Sequence, residues 1–216
     1  EMAGHICREF ERNQSRNLTL AAGVLITDVA TPIYFSRQIV KGLLKNAKKL
    51  SKAEPGKTIS AVDFQIITTD TAITEHISDF RKKAYRNHCN DGLTTRPLTL
   101  EQLGELIKVV QELKASSFPK SQLYALREAV VRGPQLRATN FYYYQQARND
   151  QLKTQYAPLH KYLNSRAGGK QWAILPFWKA ESDWLETNEV TAIVDILEIY
   201  DFVREKKSGE GREGKA

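Results

Sequence analysis

The hydrophobic pattern changes period twice between residues 18 and 69. Residues 18–27 (LTLAAGVLIT) form a β-rich apolar run with Gly23 inside it. Thr31-Pro32 then starts a helix, where the missing N–H of an early proline does no harm. Ile39, Val40, Leu43, Leu44, Ala47 and Leu50 recur at three- and four-residue steps, the signature of one helical face. Pro55-Gly56 breaks that helix. Residues 59–68 return to a period of two, with Val62, Phe64 and Ile66 on one side of a second strand. The pattern predicts strand, helix, strand.

The flanking segments read as mostly helical. Residues 4–14 carry Ile6 and Phe10 four apart, and Asn13, Ser15 and Asn17 mark a turn. Asp70 or Thr71 is placed to cap a short helix holding Ile73, Ile77 and Phe80. Asn90-Asp91-Gly92 is a turn signal. Thr99 and Gln102 make a capping box for a helix whose apolar face is Leu100, Leu103, Leu106, Ile107, Val110 and Leu113, ending near Ser116. Pro119 opens the next helix, with Leu123, Leu126 and Val130 inward, and Gly133-Pro134 closes it. Residues 135–165 read as one long polar helix or a helix pair. Ala167-Gly168-Gly169 is a break. Trp172–Trp178 and Trp184 are expected in the core, and Asn188 begins a last helix with Val190, Ile193, Val194, Leu197 and Tyr200 as its stripe. Residues 206–216 (KKSGEGREGKA) have the composition of a disordered tail.

Composition narrows the class. With 41% hydrophobic and 26% charged residues, the 216-residue chain has material for a real core. No apolar run approaches the ~20 residues of a membrane span, and residues 1–17 lack the apolar stretch of a signal peptide. Two cysteines, Cys7 and Cys89, do not make a disulfide framework and fit a cytoplasmic protein. The net charge of +7 suits a phosphate-rich partner. Glu1 stands where a start methionine would, so a split subunit or a piece of a longer one is expected.

Candidate chemistry concentrates in basic clusters. Lys45, Lys48, Lys49 and Lys52 lie at the end of the first long helix, where cations also complement the helix dipole without any ligand. Arg81, Lys82, Lys83 and Arg86 form a second cluster, either a phosphate-facing edge or a solvated linker face. In Phe141-Tyr142-Tyr143-Tyr144 the three tyrosines cannot all point inward, so at least one lies at a surface. Base stacking and subunit packing are the alternatives there, and packing is favoured. His5, Cys7, His88 and Cys89 offer zinc-ligand types without paired C-x-x-C spacing. His76 and His160 have no evident partner. Asp63 reads as structural, and Asp28 as a turn or cap residue. No G-x-S-x-G, P-loop or H-E-x-x-H motif occurs.

Four of these features in order resemble a known family. They are the LAAGV strand, the helix begun by Thr31-Pro32-Ile33, the Asn46-Ala47-Lys48-Lys49 step at its end, and the Val62-Asp63-Phe64 strand. Together they resemble the second palm domain of the large subunit of type III CRISPR-Cas effector complexes, a polymerase/cyclase-like fold related to GGDEF diguanylate cyclases. RPLTLEQLGELIKVV and FPKSQLYALREAVVRG are similar to the junction between that palm and the carboxy-terminal helical domain, so the likeness covers roughly residues 5–133.

The resemblance implies an α+β fold, a partial ferredoxin-like palm over 1–96 followed by an α-helical bundle over 97–205, with the boundary between Asn90 and Thr99. It implies a role in RNA-guided antiviral defence, in which the whole large subunit makes cyclic oligoadenylate from ATP. Palm carboxylates there hold two Mg²⁺ or Mn²⁺ ions that align the attacking hydroxyl. In the family they lie upstream, partly in a GGDD hairpin that this sequence lacks; its sole Gly-Gly, Gly168-Gly169, is followed by Lys170-Gln171. No catalytic residue or metal ligand is therefore expected here. Lys48 would contact the nucleotide triphosphate, with Lys45, Lys49 and Lys52 adding positive field as compact charges. Ala21 and Ala22 stand where many members carry a serine, which removes a hydroxyl contact to nucleotide. Implied partners are guide RNA and target RNA, other effector subunits including small helical ones, and a chain carrying the rest of the palm. Arg81, Lys82, Lys83, Arg86, Tyr142 and Tyr143 would face RNA or a subunit. The competing expectations are a non-catalytic scaffold with a degenerate palm and a stand-alone cyclase remnant in signalling.

Overall fold

The computed structural model describes residues 19–53, 59–67, 76–148, 150–168, 176–179 and 189–205, with Met2, His5, Ile6, Arg8 and Glu9 near the start. The described chain is α+β: a small three-stranded mixed sheet and seven α-helices.

Strand β1 (Ala21–Thr27) and strand β2 (Ala61–Ile67) run parallel, in register from Ala21 opposite Ala61 to Thr27 opposite Ile67. Helix α1 (Ile33–Ser51) connects them, as the apolar periodicity predicts. It begins one residue after Pro32, and Asp28 makes the turn before it: Ala30 N donates to Asp28 Oδ1 (2.8 Å) and Thr31 N to Asp28 O (3.1 Å). Ile39, Leu43 and Ala47 are its buried stripe. Gly23 sets how closely α1 lies on the sheet, because a Cβ there would stand 2.7 Å from Leu44 N and 2.9 Å from Val40 O. A two-residue strand, β3 (Leu98–Thr99), pairs antiparallel with the start of β2. β2 is therefore central, and Ala61–Gln65 are all buried.

Helix α2 (Ile77–Ala84) packs on α1. The expected caps Asp70 and Thr71, and Ile73, lie outside the described residues, as do Phe10, Pro55-Gly56, Cys7, Gly169, Trp172, Trp184, Asn188 and residues 206–216. Asn90, at φ 64°, makes the predicted turn. Then follow α3 (Leu100–Ala115), α4 (Lys120–Arg132), α5 (Gln135–Ala147), α6 (Asp150–Arg166), α7 (Ile193–Ile199) and a 3₁₀ turn, Tyr200–Phe202. The capping box forms as read: Gln102 N donates to Thr99 Oγ1 (3.2 Å) and Thr99 N to Gln102 Oε1 (3.1 Å). Such a cap is worth about 1 kcal/mol.

Residues 135–165 are a helix pair, one of the two arrangements expected. Gly133 ends α4 as read, in an extended conformation (φ −103°, ψ 157°). One expectation needs refinement: the last helix starts at Ile193, not Asn188, because the backbone before it is used otherwise. Val190 exchanges two hydrogen bonds with Trp178 (2.8 and 3.0 Å), while Glu189 O and Thr191 N bond Gly92 (2.7 and 2.9 Å). Phe177 and Trp178 are buried as expected.

One hydrophobic cluster joins Val62 and Phe64 of the sheet to Leu98 and to α3–α7 through residues such as Leu106, Leu126, Tyr142, Leu159 and Ile196. No helix among the described residues is long and apolar enough to cross a membrane.

Candidate functional site

Helix α1 carries Arg37, Lys41, Lys45, Lys48 and Lys49, with Lys52 as its C-cap, and not one acidic residue. Lys41, Lys45, Lys48 and Lys52 follow i, i+4, i+7, i+11 spacing, which places them on one face. All are exposed. Among the described residues no carboxylate pairs with any of them. An unneutralised row of ammonium groups on a rigid helix creates a positive field that an isolated surface lysine does not. Lys48 and Lys49 also occupy the last turn, where the carbonyl ends favour cations. Of the three lysines expected to meet nucleotide, Lys48 and Lys52 lie along the exposed face near the start of β2. Lys45 lines a groove between α1 and α2.

The second basic cluster does not assemble as one edge. Arg81 is fully buried and belongs to the core, which corrects the expectation of an RNA- or subunit-facing role. Its Nη1 donates to both carboxylate oxygens of Asp63 (2.8 and 2.9 Å), Nη2 to Phe64 O (2.6 Å) and Nε to Gln65 Oε1 (3.1 Å). Burial lowers the Arg81 pKa and Asp63 works in the opposite direction. Lys83 is exposed, and Lys82 and Arg86 are half-buried.

Tyr142 is likewise buried, so it is not a surface contact. Its ring stacks on His160 (centroids 6.3 Å apart, planes 10° apart), and its hydroxyl stands 3.2 Å from His160 Nδ1. Tyr156 meets it edge-on at 5.9 Å. Tyr143 and Tyr144 are exposed, by 42% and 64%, which meets the expectation that at least one of the three lies at a surface.

Beside Arg81 lies an unforeseen ionic hub. Arg96 is fully buried, with its guanidinium 4.7 Å from the Phe64 ring centre and 4.8 Å from that of Tyr85. Nε meets Asp195 Oδ1 at 2.9 Å, and Nη1 meets Glu198 Oε2 at 3.0 Å and Phe64 O at 3.1 Å. Asp195 also accepts from Thr94 Oγ1 (2.6 Å), Thr95 N (2.7 Å) and Thr95 Oγ1 (2.9 Å). Tyr85 OH donates to Glu198 Oε1 (2.6 Å) and accepts from Gln65 Nε2 (2.7 Å). Desolvation opposes the Arg96 charge, but Asp195 and Glu198 outweigh it and hold its pKa above the ordinary value. The signal in the sequence was a lone charge in Leu93–Leu100, an otherwise uncharged stretch.

These elements define an α+β protein with a basic parallel strand–helix–strand unit joined to a helical bundle through buried Arg96. No protein-family model and no curated protein sequence matches the chain.

Proposed function

We propose that the chain is part of the large subunit of a type III CRISPR-Cas effector complex. It supplies the supporting part of a ferredoxin-like, GGDEF/cyclase-related palm, followed by a helical docking domain. The observation that carries this reading is the carboxylate-free basic face of α1 between two parallel strands, ending in Lys48. In that role Lys48, with Lys45 and Lys52, neutralises the triphosphate of ATP.

The described residues do not fit a Mg²⁺ or Mn²⁺ site. Asp63 is the sheet's one carboxylate among the described residues, and Arg81 saturates it. No metal step is assigned to this chain, and metal-assisted nucleotidyl transfer belongs to a partner carrying the rest of the palm. Guide RNA, target RNA and small helical subunits are the remaining partners, in the cytoplasm. Lys82, Lys83, Arg86 and the exposed Tyr143 are the surface candidates for RNA or subunit contact.

The test is to assemble the chain with a GGDD-bearing partner, guide RNA, target RNA, ATP and Mg²⁺. Oligoadenylate is expected, and Lys48→Ala should weaken ATP binding. Unchanged affinity in that variant sinks the lysine's role, and no product removes the synthase reading. A scaffold without nucleotide chemistry is the second reading, favoured by Ala21 and Ala22, which offer no hydroxyl at the strand.

A further inference from the structure

We propose that the groove between α1 and α2 is a phosphate-binding site, which shares Lys41 and Lys45 with the face that carries Lys48 and adds Lys49, Asn46 and the start of α2. The groove encloses about 680 Å³. Its α1 wall is formed by Lys41, Lys45 and Lys49, spaced four residues apart, with Asn46 between them; its α2 wall is the first turn, His76 to Asp79.

Three independent features converge there. The first is charge: three lysines face the groove against a single carboxylate, Asp79. Ammonium groups act as compact charges on phosphate oxygens. The second is the N-terminus of α2. Its unbonded N–H groups carry partial positive charge, and the N-cap His76 gives them no side-chain acceptor. The third is Asn46. It is only 7% exposed; its Oδ1 accepts from Ser78 Oγ at 3.4 Å, and its Nδ2 has no hydrogen-bond partner among the described residues. A buried amide donor left unpaired is uncommon and calls for an acceptor. A phosphate oxygen in the groove supplies one.

The walls are rigid. Gly42 lets α2 rest directly on α1, since a Cβ there would stand 2.5 Å from Ile77 Cγ2, and Ile77 is itself buried. From Lys41 to Lys49 the helix rises about 12 Å. That length exceeds a single carboxylate and accommodates a polyphosphate or consecutive phosphodiesters. The inference stands on these residues alone and does not depend on the palm reading.

The experiment titrates the full chain by calorimetry, at low salt, with tripolyphosphate, ATP and a short single-stranded RNA. The Asn46 side-chain amide resonance is followed in parallel. Saturable binding is expected, with a shift of the Asn46 resonance. Lys45→Gln/Lys49→Gln should weaken binding about tenfold, equivalent to about 1.4 kcal/mol. Arg37→Gln removes one positive charge from the same helix outside the groove, against two for the lysine pair, and should weaken it less than about twofold by screened long-range attraction alone. Asn46→Asp, which keeps size but turns the donor into an acceptor, should abolish binding while thermal unfolding reports its fold. Tripolyphosphate and ATP binding without RNA identifies a free polyphosphate as ligand, and tighter RNA binding identifies a nucleic-acid backbone. The proposal is overturned if none of the three probes saturates, or if Arg37→Gln weakens binding as much as the lysine pair does. Absence of oligoadenylate synthesis in the assembled complex would leave this result untouched.

Discussion

Arg96 and Asp195 meet at 2.9 Å with neither side chain exposed to solvent. One belongs to the segment leading into β3, the other to α7 near the far end of the described chain. Their contact, with Arg81–Asp63 close by on the sheet, joins the sheet to the last helix inside the core. Burying such charges costs several kcal/mol per ion unless each is paired and hydrogen-bonded. Here Thr94, Thr95 and the Phe64 carbonyl add hydrogen bonds, while Arg96 Nη2 is left without a partner among the described residues. The hub therefore selects one arrangement of sheet against bundle more than it adds net stability.

Removing one member of the hub should be costly. Arg96→Met leaves buried Asp195 and half-buried Glu198 beside an apolar chain, and the expected loss is about 3–5 kcal/mol in urea denaturation. Arg96→Lys keeps the charge but loses the planar stack on Phe64 and Tyr85, so an intermediate loss is expected. A Met variant as stable as the parent would mean that the two carboxylates find other partners.

Two glycines should respond in opposite directions to alanine. At Gly23 the new methyl meets backbone atoms of α1, which cannot swing away, so Gly23→Ala should cost about 3 kcal/mol. At Gly104, inside α3, nothing lies within 4 Å of the added methyl, and Gly104→Ala should gain about 0.5–1 kcal/mol from helix propensity. Thermal unfolding of both variants settles the pair, and equal shifts would refute the close α1–β1 approach.

The tyrosine triplet makes a sharper test of packing. Tyr142→Ala empties a site walled by His160 and Tyr156, for a loss of about 3–5 kcal/mol. Tyr144→Ala, at an exposed position, should stay within about 0.5 kcal/mol. If Tyr144→Ala instead abolishes binding of a helical subunit without changing stability, the exposed tyrosine is a docking residue.

Alkaline pH should unfold the bundle through its tyrosines. Burial, before any other cause, raises the pKa of Tyr85, Tyr142, Tyr156 and Tyr162. Above the unfolded value of about 10, the unfolded chain releases protons that the folded chain keeps, so unfolding becomes more favourable with rising pH. Their stabilising contribution is thus intact below about pH 10 and lost above it. Phenolate absorbance from these groups should grow only together with loss of the helical circular dichroism signal. Complete tyrosine ionisation with the helices intact would contradict their burial.

The elements that were legible in the sequence are those decided by neighbours in the chain. The three- and four-residue recurrence of Ile39, Leu43 and Ala47 and the Thr99–Gln102 box act within a turn or two of backbone. Placing Lys48 on an exposed helix end needed the same local rule. Arg81 was misplaced because its partner, Asp63, sits on a different element. The two look unrelated until α2 is laid over β2. Arg96 has no opposite charge within four residues in the sequence, and its partners Asp195 and Glu198 lie about a hundred residues away.

By itself, the sequence determined the strand–helix–strand order, the helix faces and caps, and the excess of positive charge on α1, because hydrogen-bond periodicity and side-chain spacing are local. Tertiary structure alone decided that Arg81 and Arg96 go inside while Lys45 lines a groove with Asn46, and which tyrosine of three is buried. A cation can leave water only where distant carboxylates and carbonyls converge on it, and that convergence is a property of the packed fold rather than of any stretch of chain.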